Sequence, residues 1–149
     1  MKTTISSKGL MKSISVVLMV TLILSFTSCS QKIPFAISSV VPATEGSIKI
    51  KEDKNNNYTI KLEVVRLVDP SRLTPTKAGY IVWMQTEKSG IQKIGQLISS
   101  SGFMSNKQKG SLTTVTSFKP TRFFITGEDN LSGQYPGEVI LETNFFSVK

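Results

Sequence analysis

Apolar and polar residues alternate one by one along much of this chain. Ile48-Lys49-Ile50-Lys51 sets the pattern, and Tyr58, Ile60, Leu62 and Val64 continue it against Thr59, Lys61 and Glu63. A period of two marks strands with one buried and one wet face. Between these runs, Glu52-Asp53-Lys54-Asn55-Asn56-Asn57 is a polar turn in which asparagine tolerates positive φ. The two strands are therefore predicted to form a hairpin. Alternation stops over Val65 to Val68, at a bulge or where both faces become covered.

Further along, Asp69 to Thr76 carries two prolines and reads as a loop, because proline interrupts a sheet ladder. Gly79 to Gln85 is apolar on both faces, as in a central strand. Glu87-Lys88-Ser89-Gly90 turns the chain into a returning strand over Ile91 to Ile98. Ser99 to Gly110 is predicted as a polar loop whose Phe103 and Met104 fold over one end of the core. Leu112, Thr114, Thr116 and Phe118 share one face of the next strand, and Lys119-Pro120 leads into Arg122 to Thr126. A loop over Gly127 to Gly137 precedes a last strand opening with Val139-Ile140-Leu141. About seven short strands and no helix point to an all-β domain, a single antiparallel Ig-like β-sandwich, with strand order left open.

The N-terminus breaks this pattern. Lys2, Lys8 and Lys12 precede an apolar run from Ile14 to Phe26, about 13 residues and too short for a spanning helix. Phe26-Thr27-Ser28-Cys29 ends it, and Cys29 is the only cysteine. The segment resembles a bacterial lipoprotein signal, although Phe26 stands where leucine is commonest. The resemblance implies cleavage before Cys29 and acylation of its thiol and new amine. Two or more acyl chains would hold the protein durably at a membrane. Ser30-Gln31-Lys32 follows, without an aspartate marking inner-membrane retention. The expected home is the outer membrane, facing the periplasm. The expected organisation is a signal over residues 1–28, a lipidated cysteine and flexible tether over 29–45, and the sandwich over 46–149. The tether expectation rests on few charges, several serines, and Pro34 and Pro42.

Formal charge is +8, and three lysines would leave with the signal, so the remainder carries 15 Lys+Arg against 10 Asp+Glu. A charge this diffuse does not argue for nucleic acid; it suits weak attraction to anionic lipid or glycan. With Cys29 committed to lipid, packing alone must stabilise the fold.

Four segments carry a family resemblance: Gly79-Tyr80-Ile81-Val82-Trp83, Lys93-Ile94-Gly95-Gln96-Leu97, Phe124-Ile125-Thr126-Gly127-Glu128 and Tyr135-Pro136-Gly137-Glu138-Val139-Ile140-Leu141. In this order they resemble the extracytoplasmic domain of anti-sigma-K factors over residues 79–141. The resemblance implies an Ig-like sandwich and contact with another envelope component. Sigma-factor control is not expected to carry over: that function sits in a cytoplasmic helical domain, often with a His-Cys zinc motif, and this chain has no histidine.

Chemistry-bearing constellations are few. The lack of histidine removes the usual general base and imidazole metal ligands. No Ser-Lys spacing or glycine-rich phosphate cradle appears. Glu138 and Glu142 are predicted on one strand face as a solvated pair, not an acid/base pair. Glu128-Asp129-Asn130 could offer oxygens to calcium but reads as a plain turn. Tyr80 and Trp83 fall on opposite strand faces. Either could line a ligand groove; the plainer expectation puts Trp83 in the core and Tyr80 under a loop with its hydroxyl bonded. Phe123 and Phe124 also point to opposite faces, and Phe145, Phe146 and Val148 close the core or form a sticky edge. Lys49, Lys51 and Lys61 form a basic stripe read as edge protection.

The expectation is a non-catalytic protein, with no metal or cofactor. It is held to the membrane through Cys29 and binds an envelope protein by a sheet edge or end loops. The alternative is a module for an envelope polysaccharide or peptide, using Tyr80 or a loop aromatic.

Overall fold

The computed structural model describes residues 30–101 and 108–148; the signal segment, Cys29, Phe103 and Met104 lie outside the described residues. Among the described residues nine strands form two antiparallel sheets. They are β1 (Gln31–Pro34), β2 (Glu45–Glu52), β3 (Tyr58–Val65), β4 (Gly79–Thr86), β5 (Ile91–Gln96), β6 (Ile98–Ser101), β7 (Gln108–Thr116), β8 (Pro120–Glu128) and β9 (Glu138–Glu142). One sheet has the order β1-β2-β3-β7-β6 and the other β5-β4-β8-β9. The antiparallel sandwich expected from the alternation is what the chain forms. A 3₁₀ turn over Pro70–Arg72, capped by Asp69, is the one helical element among the described residues. No helix among them is long and apolar enough to cross a membrane.

The first hairpin follows its sequence pattern closely. Ile48 and Ile50 pair with Leu62 and Ile60, all buried, while Lys49 and Lys61 face each other on the outside. Asp53 nucleates the turn: its carboxylate accepts the amides of Asn55 at 2.7 Å and Asn57 at 2.9 Å, and Asn56 takes φ 59°. The break at Val65–Val68 comes from Arg66 at φ 58°, with Leu67 turned into the core.

Between the sheets lie Ile33, Ile48, Ile50, Ile60, Leu62 and Val64 from one layer and Tyr80, Val82, Met84, Phe123 and Ile125 from the other. β4 is central, as predicted, flanked by β5 and β8. Its two faces separate cleanly. Tyr80, Val82 and Met84 enter the main core, whereas Ile81 and Trp83 join Phe124 in a second cluster on the opposite face.

The stretch expected to be a tether is part of the fold. Gln31–Pro34 pairs with Ser47–Ile50 as an edge strand, with Ile33 buried. Pro34 is tolerated at the end of an edge. The next residues cross to the other sheet: the Ala36 amide donates to the Glu142 carbonyl at 2.8 Å, and the Ser38 hydroxyl to the Ile140 carbonyl at 2.5 Å. Ser38 also accepts the amides of Val40 and Val41, and Val41 is buried. The low charge suggested a linker, yet Ile33, Ser38, Val41 and Thr44 are buried and fasten the segment to the sandwich.

The predicted strand over Ile91 to Ile98 divides. β5 belongs to one sheet and β6 to the other, and Leu97 is the buried residue at the crossing, its amide bonded to the Tyr80 carbonyl at 3.0 Å. Gly95 permits the bend: it has φ 155°, sits where the β4–β5 register slips, and leaves room for Leu112. The segment read as a polar loop accordingly contains β6 and the start of β7.

Candidate interaction edge and the cleft beside it

The two lateral sides of the sandwich differ. On the β1/β9 side, the Ala36 and Ser38 bonds lace the layers together, and Gln31 Nε2 donates to the Ser147 carbonyl at 3.1 Å. On the other side, β5 and β6 are the outermost strands, and no described strand pairs beyond them. That edge carries Ile91, 47% exposed, and Ile98, 71% exposed. An outermost strand presents unpaired amides and carbonyls, a template for another strand.

Beside Ile98 opens a cleft of ≈ 390 Å³ lined by Asp69, Ser71, Lys77, Tyr80 and Gln96 among others. Ser71 donates to Asp69 from its hydroxyl at 2.6 Å and its amide at 3.0 Å, and these bonds hold the Asp69 carboxyl below its ordinary range. The Tyr80 hydroxyl donates to the Val68 carbonyl at 2.9 Å. Burial, with Asp69 adding to it, pushes the phenol up to about 12. Lys77 reaches Asp129 at 3.1 Å. The cleft thus offers fixed polar groups around an apolar lip.

Neither aromatic candidate presents its ring to a ligand. Tyr80 is 1% and Trp83 2% exposed. Their expected positions are exchanged: Tyr80 fills the inter-sheet core, its hydroxyl bonded as expected, and Trp83 lies on the outer face of its sheet. The pattern of β4 is apolar on both sides, so it could not say which parity faced the other sheet. Phe124 stacks near Trp83 with centroids 6.4 Å apart, while Phe123 enters the core and stacks on Phe146 at 5.8 Å.

The carboxylate candidates do not assemble. The β8–β9 register slips at Ile140, so Ile140 and Leu141 both turn inward and Glu138 and Glu142 fall on opposite faces. Glu142 pairs with Arg122 instead. Glu128 is buried and accepts from Thr126 and from the Gly137 amide, Asp129 pairs with Lys77, and Asn130 Oδ1 caps its own turn through the Ser132 amide. Among the described residues no three His, Cys, Asp or Glu side chains gather to hold a metal. The lipidation candidate Cys29 lies outside the described residues.

Sequence reasoning missed the edge itself. The signal was present at Ile94-Gly95-Gln96-Leu97-Ile98, where a glycine precedes two adjacent apolar residues and breaks the alternation. Comparison with known proteins adds no relative: no family model, no curated protein and no solved structure matches the chain.

Proposed function

We propose that this protein is a lipid-anchored, non-catalytic module of the bacterial envelope, facing the periplasm from the outer membrane, that binds a protein partner along the β5–β6 edge. The observation supporting this most directly is the contrast between the two sides: one laced by hydrogen bonds, the other ending in an outermost strand with Ile91 and Ile98 exposed. Strand addition there would gain backbone hydrogen bonds, and Ile98 with the neighbouring cleft would select the side chains. The bend at Gly95 divides the edge, so an added strand would be short and would pair with one sheet at a time. Anchoring rests on the signal-like segment ending at Cys29.

A second reading, a polysaccharide-binding module, is favoured by Tyr135, which is 85% exposed on the loop that Lys93 holds through the Leu131 and Gly133 carbonyls.

Photo-crosslinking residues placed at Gln92, Ile98 and Tyr135 of the full chain in cells separate the two. The edge reading expects one envelope protein captured from Gln92 and Ile98, absent from Tyr135, and lost on Ile91→Lys. Capture of glycan from Tyr135 alone would overturn it.

A further inference from the structure

The outer face of the five-stranded sheet carries a row of like charges. Lys32 of β1 pairs with Lys49 of β2, which pairs with Lys61 of β3. Lys51 stands two residues further along the same face, and Lys109 of β7 shares it. Like charges directly opposite on adjacent strands are unfavourable. None of these lysines has an ion-pair partner among the described residues. Glu63 is the one unpaired carboxylate in the midst of the face, since Glu45 is bound to Arg66. At the end of the face where β1 begins stand two exposed apolar residues, Val115, 64% exposed and paired with Thr59, and Phe118 just beyond β7.

The first strand starts at that same end of the face, with Gln31 opposite Ile50. β1 begins at Gln31, two positions after Cys29, and two residues reach at most about 7 Å. A cysteine held at a bilayer would leave the sandwich no tether with which to stand away from it.

We propose that the outer face of the five-stranded sheet lies against the anionic surface of the membrane that carries the anchor, Lys32, Lys49, Lys51 and Lys61 meeting headgroup phosphates while Val115 and Phe118 enter the interface. This inference rests on the anchoring reading above. Counter-charge from lipid offsets the repulsion within the row. Lysines near an anionic surface are each attracted to it, so four on one face orient the domain once the anchor has brought it there. In this pose the β5–β6 edge and the loop carrying Tyr135 remain open to a partner.

The test uses the full chain, produced in a Gram-negative host and reconstituted in vesicles containing brominated lipid, with mass spectrometry of the Cys29 peptide taken first. Val115→Trp places a reporter on the face, and Tyr135→Trp places one on the loop at the far end; wild type supplies the Trp83 background. The Val115→Trp emission is expected to be strongly quenched in phosphatidylglycerol vesicles and weakly in phosphatidylcholine, with Tyr135→Trp unquenched in both. Adding Lys49→Glu and Lys61→Glu, or raising salt until the screening length is about 3 Å, is expected to relieve the quenching. An acylated Cys29 with an unquenched Val115→Trp reporter would overturn the inference and leave the anchor standing. An unmodified Cys29 would overturn the anchor and the inference together.

Discussion

Trp83 and Thr126 are joined across β4 and β8 by a hydrogen bond of 2.7 Å from the indole Nε1 to the threonine hydroxyl. The Thr126 hydroxyl in turn donates a hydrogen bond to Glu128, whose carboxylate also accepts the Gly137 amide at 2.8 Å. Three buried polar side chains at the cluster of Ile81, Trp83 and Phe124 thereby satisfy one another and tie down the start of β9. Leu131, on the loop between β8 and β9, packs over the same cluster.

Thr126→Val keeps the shape and removes the acceptor, leaving a buried indole N–H without a partner. The expected loss is about 1–3 kcal/mol in urea denaturation. Trp83 fluorescence should report it directly, and an unchanged midpoint would show that the chain of bonds contributes nothing.

Gly110 sits on β7 where an added Cβ would come within 2.7 Å of Leu97 Cδ2 and 3.2 Å of Leu67 Cδ2. Both leucines are buried, so neither can swing away freely. Gly110→Ala is expected to cost about 1–3 kcal/mol through overpacking. Gly90→Ala, in open space but at φ 69°, separates strain from crowding: its cost should be independent of Leu97→Ala, whereas that of Gly110→Ala should shrink.

Tyr80 gives the fold an alkaline limit. Its folded pKa of about 12 exceeds the ordinary 10.0, so the unfolded phenol ionises first. The stabilisation is complete below the unfolded value and is lost as pH rises through the folded one. Between about pH 10 and about pH 12, wild type should therefore lose more stability than Tyr80→Phe. At neutral pH the variant should be less stable by about 1 kcal/mol, from the lost bond to Val68. Parallel pH profiles for the two proteins would contradict this account.

Ser38 fastens the N-terminal segment to β9. Ser38→Ala removes the bond to the Ile140 carbonyl and uncaps the amides of Val40 and Val41. A loss of about 1–2 kcal/mol is expected. Amide exchange should quicken at Val40 and Val41 more than at Ile60; uniform acceleration would mean that the segment opens only with the whole domain.

The parts of this fold legible in the sequence are those where burial is one-sided. The hairpin of β2 and β3 was readable because lysines and isoleucines alternate across it. Where both faces are covered, as on β4, parity carries no information, and Tyr80 and Trp83 were placed on each other's sides. The segment over residues 31–45 deceived for a different reason: prolines and serines suit both a linker and a short edge strand with a capped turn, and only the bonds of Ser38 decide. At β9 the slip at Ile140 reversed the expected relation of Glu138 and Glu142, because one extra residue exchanges faces for everything beyond it. The division of the predicted strand into β5 and β6 was hidden behind Gly95, which looked like part of an ordinary strand.

The placement of β1 also governs how the molecule bears load. Its ladder to β2 runs from Gln31↔Ile50 to Pro34↔Ser47, with the hydrogen bonds lying across the strand direction. A force drawing on the N-terminal end while a partner holds the far loops would run along that strand. Every bond of the ladder would then be strained together in shear, with no single pair able to give way first, and the Ala36 and Ser38 fastenings beyond it would share the pull. A pairing of only four residues at the sheet's rim would thus act as the domain's mechanical clasp.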